Sequence, residues 1–392
     1  MRCTTIRVAS KALIYFALSI LGASTASTFP SITNVTMSGS APQLTILSDV
    51  GATNEILCVT NITQTNWTVL TNIVVSQSSY TFTDIISSPS PQRFYRIAEL
   101  TESTNTNTNT PSAPPGMSLI PKGIFEMGDS FYEGAEYEIP IHAVYVSSFY
   151  MDKYEVTYAL WSNVVAWSVT NGYTYDNPGA YKATNHPVQM VSWYDVVKWC
   201  NARSEMEGLL PSYFADSNLT QIYRTGEVEP FVDWNAGYRL PTEAEWEKAD
   251  RGGADGHRFP WTNTDTISHS QANYYSGDTN QYTYDVSPTS GYNPLFVDNM
   301  MPYTSPVGYF APNGYGLYDT AGNVWEWCWD YAGNYSSDMQ TDPRGPSSGD
   351  TRVGRGGNWN FYAVDCRDSY RYGNSPTDTA SNIGFRTARP AP

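Results

Sequence analysis

The sequence predicts an α+β protein in two folded parts: a small all-β sandwich module over 27–100 and a larger, irregular α+β domain over 117–392. Three observations carry this reading. Short β-rich runs alternate with polar turn clusters as far as Leu100. The stretch 101–116, TESTNTNTNTPSAPPG, is a polar, Pro-containing linker of low complexity. Beyond Met117 helical signals are few, while Gly, Asn, Tyr and Trp are dense. A length of 392 residues is in keeping with two or three domains.

At the N-terminus, Arg2, Arg7 and Lys11 precede an apolar run from Ala12 to Gly22, followed by the small residues Ala23-Ser24-Thr25-Ala26. This order predicts a secretory signal peptide over 1–26 and a periplasmic, cell-surface or extracellular destination. The run is shorter than the ~20 residues a membrane span needs. In the β module the runs are 44–47, 55–60, 67–70, 73–75, 80–82 and 93–97. In the larger domain, Ser192 with Asp195 opens a helix whose Trp193, Val196, Val197 and Cys200 share one face, and Gly208 ends it. Thr242 with Glu245 opens a second, with Trp246 inward, and a third starts at Thr157 and carries Leu160, Trp161, Val164 and Val165. So little regular structure in about 275 residues calls for loops pinned by metal ions, disulfides or buried polar and aromatic networks.

Composition excludes several functions. Lys and Arg number 22 against 38 Asp and Glu, a net charge of −16, so no basic surface for nucleic acid is expected. Twelve Trp, 30 Tyr and 14 Phe argue against a disordered chain or a coiled coil. The chain has no H-E-x-x-H, C-x-x-C, G-x-S-x-G, phosphate-loop or dinucleotide motif. His142, His186, His257 and His269 lack ligand spacing and read as hydrogen bonders. Arg239, Arg355, Arg367, Arg371 and Arg386 read as partners of carboxylates and carbonyls rather than as an anion site. Asp319 and Glu326 bracket a Gly-containing loop; the residues alone leave open a hard-cation site or a solvated turn before an aromatic core strand.

Eight ordered blocks decide the relationship: 121–128 (PKGIFEMG), 153–157 (KYEVT), 186–193 (HPVQMVSW), 239–247 (RLPTEAEWE), 313–319 (NGYGLYD), 322–327 (GNVWEW), 355–359 (RGGNW) and 382–386 (NIGFR). With them, the domain resembles the formylglycine-generating enzyme family, the sulfatase-modifying-factor domain, from about Met117 to Arg389. The resemblance implies a compact, irregular α+β fold related to C-type lectins. It also implies a calcium loop formed by the Asp319 side chain, the Gly322 and Val324 carbonyls and the Glu326 carboxylate. A second calcium site of the family would begin near Asn273 and Tyr274, but 291–304 departs from its pattern.

The family's chemistry, oxidation of a substrate cysteine to formylglycine, uses copper held by two cysteines five positions apart. Soft thiolates suit Cu(I). Here the first position is Phe361 and the second Cys366, which leaves Cys366 as the sole candidate catalytic residue. Asn358 stands where the active family has serine, and Asp365 where it has tyrosine. Phe361 makes copper an unexpected cofactor, while calcium stays expected. The resemblance, with export, implies a Cys328–Cys366 disulfide; separate buried thiols or a metal or redox role are the alternatives. Cys200 reads as a buried free thiol. The chain is thus expected to be a calcium-stabilised, exported binding or accessory module for a polypeptide or glycan. A residual formylglycine-generating or other family oxidase, and a purely structural protein, are the competing readings.

Overall fold

A computed structural model describes the chain at residues 4–9, 31–38, 41–47, 53–59, 68–74, 79–83, 92–99, 113–277 and 281–391. The chain divides into two compact units, Met1–Thr110 and Pro111–Pro392. The linker of the sequence reading, 101–112 in particular, lies outside the described residues.

In the first unit the described residues are seven strands in two antiparallel sheets. One has the order Thr4–Ala9, Gln92–Glu99, Thr53–Val59, Thr68–Val74; the other has Ser31–Ser38, Ala41–Leu47, Ser79–Thr83. Leu44 and Ile46 alternate with less buried neighbours, the period of two that a one-sided strand requires. They cluster with Ile32 and with Ile56, Cys58 and Tyr95 of the other sheet. Two details differ from the sequence reading. Thr71 and Asn72, read as a turn, continue one strand because they pair with Ile56 and Glu55. Thr4–Ala9, inside the segment read as a leader, forms a ladder with Gln92–Glu99.

The second unit has few helices. Helix α1 (Tyr158–Val169) is capped by the Thr157 hydroxyl, which accepts from Leu160 N at 3.2 Å, and buries Trp161, Val164 and Ser168. Helix α2 (Trp193–Met206) begins with the Ser192/Asp195 capping box and packs on α1. Helix α3 (Glu243–Asp250) begins with the Thr242/Glu245 box and is buried along its whole length. All three starts are where the cap signals placed them.

A four-stranded sheet runs in the order Tyr372–Asn374, Arg352–Arg355, Trp325–Tyr331, Ile383–Gly384. Its Trp325–Tyr331 strand is buried on both faces and divides the core. Trp325, Trp327 and Trp329 join the cluster of α1 and α2, whereas Cys328 joins the cluster that holds Trp246 of α3. Glu326 and Asp330 follow Cys328 toward α3: Trp246 Nε1 donates to Glu326 Oε2 at 2.7 Å, and Glu243 N to Asp330 Oδ2 at 2.7 Å.

That alternation corrects the expected disulfide. Cys328 and Cys366 are both free, buried thiols, as is Cys200. Cys366 belongs to a different cluster, with Phe259, Ile267 and Tyr274, so the two sulfurs pack in separate parts of the core. The loops are pinned instead by buried arginine–carboxylate pairs. Arg239 binds Glu245, Arg355 binds Glu243 and Glu247, Arg367 binds Glu138, Arg371 binds Glu243, and Arg386 binds Glu326. The four histidines are hydrogen-bonded, to Pro140 O, Thr304, Asp265 and Tyr274 O in chain order.

Candidate functional site

Two positions of the chain bear on function: the turn that carries Phe361 and Cys366, and the loop from Asp319 to Glu326.

The first turn leaves the Arg352–Arg355 strand through Gly356 and Gly357, both at positive φ, and ends in the 3₁₀ turn Ala363–Cys366. Gly357 must be glycine: a Cβ there would come within 2.7 Å of Cys366 Sγ. This close cover leaves Cys366 about 1% exposed. Burial, reinforced by Asp365, Asp285 and Asp250, pushes its thiol well above the ordinary cysteine range. That shift favours the thiol over the thiolate, which is the reactive form. Phe361 packs edge-on against Trp325, with ring centroids 6.2 Å apart, and lies 6.4 Å from Tyr372. Among the described residues no second sulfur shares the cluster of Cys366, since Cys328 packs toward α3. Burial pushes Asp365 up to about 6, and its carboxylate accepts from Tyr362 N at 3.0 Å. Asn358 Nδ2 and Trp325 Nε1 are buried with no hydrogen-bond partner among the described residues.

Around this turn the surface is aromatic. Tyr362 and Tyr372 are exposed, and Tyr275 stacks edge-on with both Tyr362 (5.5 Å) and Tyr292 (4.8 Å). Backbone ties hold the face together: Tyr275 N donates to Phe361 O at 2.9 Å. The Tyr292 hydroxyl donates to Asn360 Oδ1 at 2.9 Å.

In the second loop, Asp319 and Asn323 adopt positive φ, and Gly322 (φ +85°) lies so close to the Asn273 carbonyl that a Cβ would collide with it. Asp319 Oδ2 accepts from Gly308 N at 2.5 Å, while its buried Oδ1 takes no hydrogen bond from the described residues. Glu326 is held by Arg386 through two bonds of 2.6 Å and by Trp246. A third carboxylate, missed by the sequence reading, completes the cluster. Glu155 accepts from Asn323 Nδ2 (2.5 Å) and Val324 N (3.1 Å). Its trace in the sequence is the block 153–157, which lies far along the chain from Asp319 and Glu326. Burial and the nearby Asp319 and Glu326 push Glu155 well above the ordinary carboxylate range, and burial pushes Asp319 up to about 6. Arg386 offsets only part of this crowding.

The donor chemistry fits a hard cation at Asp319, whose open oxygen and adjoining loop carbonyls are what calcium takes. Glu326 fits less well, because both its oxygens are already bonded. Among the described residues no group of three or more His, Cys, Asp or Glu is arranged to hold a metal. Asn273, at the start of the expected second site, is tied by its side chain to Tyr303 O (2.8 Å) and by its carbonyl to Asn323 N (2.7 Å).

Residues 102–391 match the sulfatase-modifying factor enzyme 1-like domain. The chain belongs to this family. Mouse formylglycine-generating enzyme is 34% identical over 327 residues, covering 77% of this chain and 82% of the relative. The bovine protein named inactive C-alpha-formylglycine-generating enzyme 2 is 29% identical over 301 residues, 69% of this chain and 87% of its own. Among solved structures, Treponema denticola variable protein 1 aligns with a TM-score of 0.52 at 28% identity, over 70% of this chain and 95% of that one. In this member of the sulfatase-modifying factor family, Phe361 stands five positions before Cys366.

Proposed function

We propose that this protein is a non-oxidase member of the family, a calcium-stabilised binding or accessory module that presents its aromatic face to a polypeptide or glycan. One observation carries the reading: Phe361, which has no metal-binding atom, stands five positions before Cys366, whose thiol is buried and pushed toward its protonated form. The bovine relative named as inactive is consistent with such a role. The exposed Tyr362 and Tyr372 beside Phe361 supply the flat apolar surface with polar edges that interface aromatics offer. Calcium would be held at Asp319 with the Gly322 and Val324 carbonyls and Glu326, where it would add positive charge to a cluster rich in carboxylates. The reading includes export through residues 1–26, a sandwich arrangement of the two N-terminal sheets, and kinship of the larger domain with C-type lectins. Cleavage near Ala26 would remove the Thr4–Ala9 strand and uncover the edge of Gln92–Glu99. N-terminal sequencing of the secreted protein decides that point.

The function is tested by offering the protein Cu(I), oxygen and a cysteine-containing peptide, then a glycan and peptide array. Expected are no copper-dependent oxygen uptake and saturable binding on the array. Tyr362→Ala or Tyr372→Ala should weaken that binding about tenfold, ~1.4 kcal/mol. Calcium chelation should lower the thermal midpoint. Oxygen uptake that disappears in Cys366→Ser would overturn the reading.

A further inference from the structure

A cleft of about 470 Å³ lies beside the N-terminus of α3, lined by Asp330, Tyr335, Gln340, Arg344 and Gly345 among others. It shares no lining residue with the aromatic face and lies outside the function proposed above. The three glutamates of α3 each have an arginine: Glu243 has Arg371 and Arg355, Glu245 has Arg239, and Glu247 has Arg251 and Arg355. Asp330, buried at 3% exposure, has none among the described residues. Its Oδ2 accepts from Glu243 N. Its Oδ1 takes no hydrogen bond from the described residues and lies beneath Gly345, where a Cβ would approach to 2.9 Å. The absent side chain leaves that oxygen open to the cleft.

We propose that this cleft binds a primary ammonium group, carried by a lysine side chain or a free peptide amino terminus, with Asp330 as its counter-ion. One open oxygen suits a compact point charge better than the two-pronged guanidinium, because Oδ2 is already committed. Gln340 also lines the cleft and carries an amide oxygen that can accept an ammonium proton, whereas the Tyr335 hydroxyl is bonded to Glu243 and Arg355. Arg344 also lines this cleft and has no ion-pair partner among the described residues, but its guanidinium stacks 4.2 Å over Trp234, which lines a neighbouring cleft.

Charges facing Asp330 are Glu243 and Glu245, opposed by Arg371, with Arg344 and His142 also lining the cleft. Burial first, then Glu243, pushes the Asp330 carboxyl up to about 8. Binding an ammonium requires the carboxylate, so affinity should rise with pH and level off above about 8, while a lysine amine (ordinary pKa ~10.4) stays charged.

The test is calorimetric titration of the full chain with N-acetyl-lysine methylamide, at pH ~6.5 and ~8.5, beside the uncharged N-acetyl-norleucine methylamide. Expected is saturable binding of the lysine compound alone, at least tenfold tighter at the higher pH. Asp330→Asn, which keeps an oxygen for Glu243 N, should weaken it tenfold or more while still melting cooperatively. Equal binding of the norleucine compound, no saturable binding, or no pH dependence overturns the proposal. So does an unaffected, folded Asp330→Asn. Should that variant not fold, the wild-type pH profile and the norleucine comparison decide alone.

Discussion

Cysteine reacts as its thiolate, and the three carboxylates felt by Cys366 all join burial in favouring the protonated form. Cys328 shares this condition, its thiol pushed up by burial with Arg355 opposing. Both sulfurs should therefore resist alkylation in the folded protein. They should react in denaturant without prior reduction, which peptide mass mapping after labelling would show. A 328–366 cross-linked peptide would refute this placement. The same chemistry limits what one substitution restores. Phe361→Cys puts a thiol five positions before Cys366, yet Cys366 stays buried under Gly357. The variant should show no copper-dependent oxygen uptake.

At the scale of elements, α3 joins the parts of the domain. Glu245 reaches back to Thr242 N at 2.8 Å and also takes Arg239 through two bonds of 2.6 Å, so it serves as cap and ion-pair partner together. Thr242→Ala removes one cap bond and should cost about 1 kcal/mol in urea unfolding. Glu245→Ala strands the buried Arg239 as well and should cost about 3–5 kcal/mol. Helix starts such as this one were legible because a capping box is local: its residues lie three apart in the chain. The turn that carries Phe361 and Cys366 is announced just as locally, by Gly356-Gly357, both at positive φ. What stayed hidden depends on long-range packing. Glu155 reaches Asn323 and Val324 across 168 and 169 positions, and nothing local announces it. The alternation of the Trp325–Tyr331 strand between two cores, which separates Cys328 from Cys366, is masked because both its faces are buried. Asp330 joins Glu243 over 87 positions, so its place in a cleft could not be read from Trp-Cys-Trp-Asp either.

Over the whole molecule, buried acids set the dependence of stability on pH. Burial pushes Asp330 up to about 8, Asp368 to about 7 and Asp365 to about 6, with Asp250 raised as well. An acid whose folded pKa lies above its unfolded value holds its proton more firmly in the folded state. Its stabilisation is whole below the unfolded pKa, near 4, and is lost as pH rises through the folded one. His186, pushed down to about 4 by burial, and His269, also lowered, act oppositely: their contribution is present above ~6.5 and is lost as pH falls. Above pH ~6.5 these two histidines are neutral in both states, and the raised acids titrate; Lys248, pushed down to about 8 by burial, acts oppositely above that pH. Stability should consequently fall between pH ~6.5 and ~8. One group such as Asp330 accounts for about 1.4 kcal/mol per pH unit below its folded pKa. For a domain of this size that is a drop of about 2–4 °C in thermal midpoint per kcal/mol. Asp330→Asn keeps the acceptor for Glu243 N but removes the titration, so its midpoint should change less steeply over the same range. Calorimetric melts of both proteins at several pH values compare the slopes; equal slopes would mean that Asp330 ionises in the folded state as readily as in the unfolded chain.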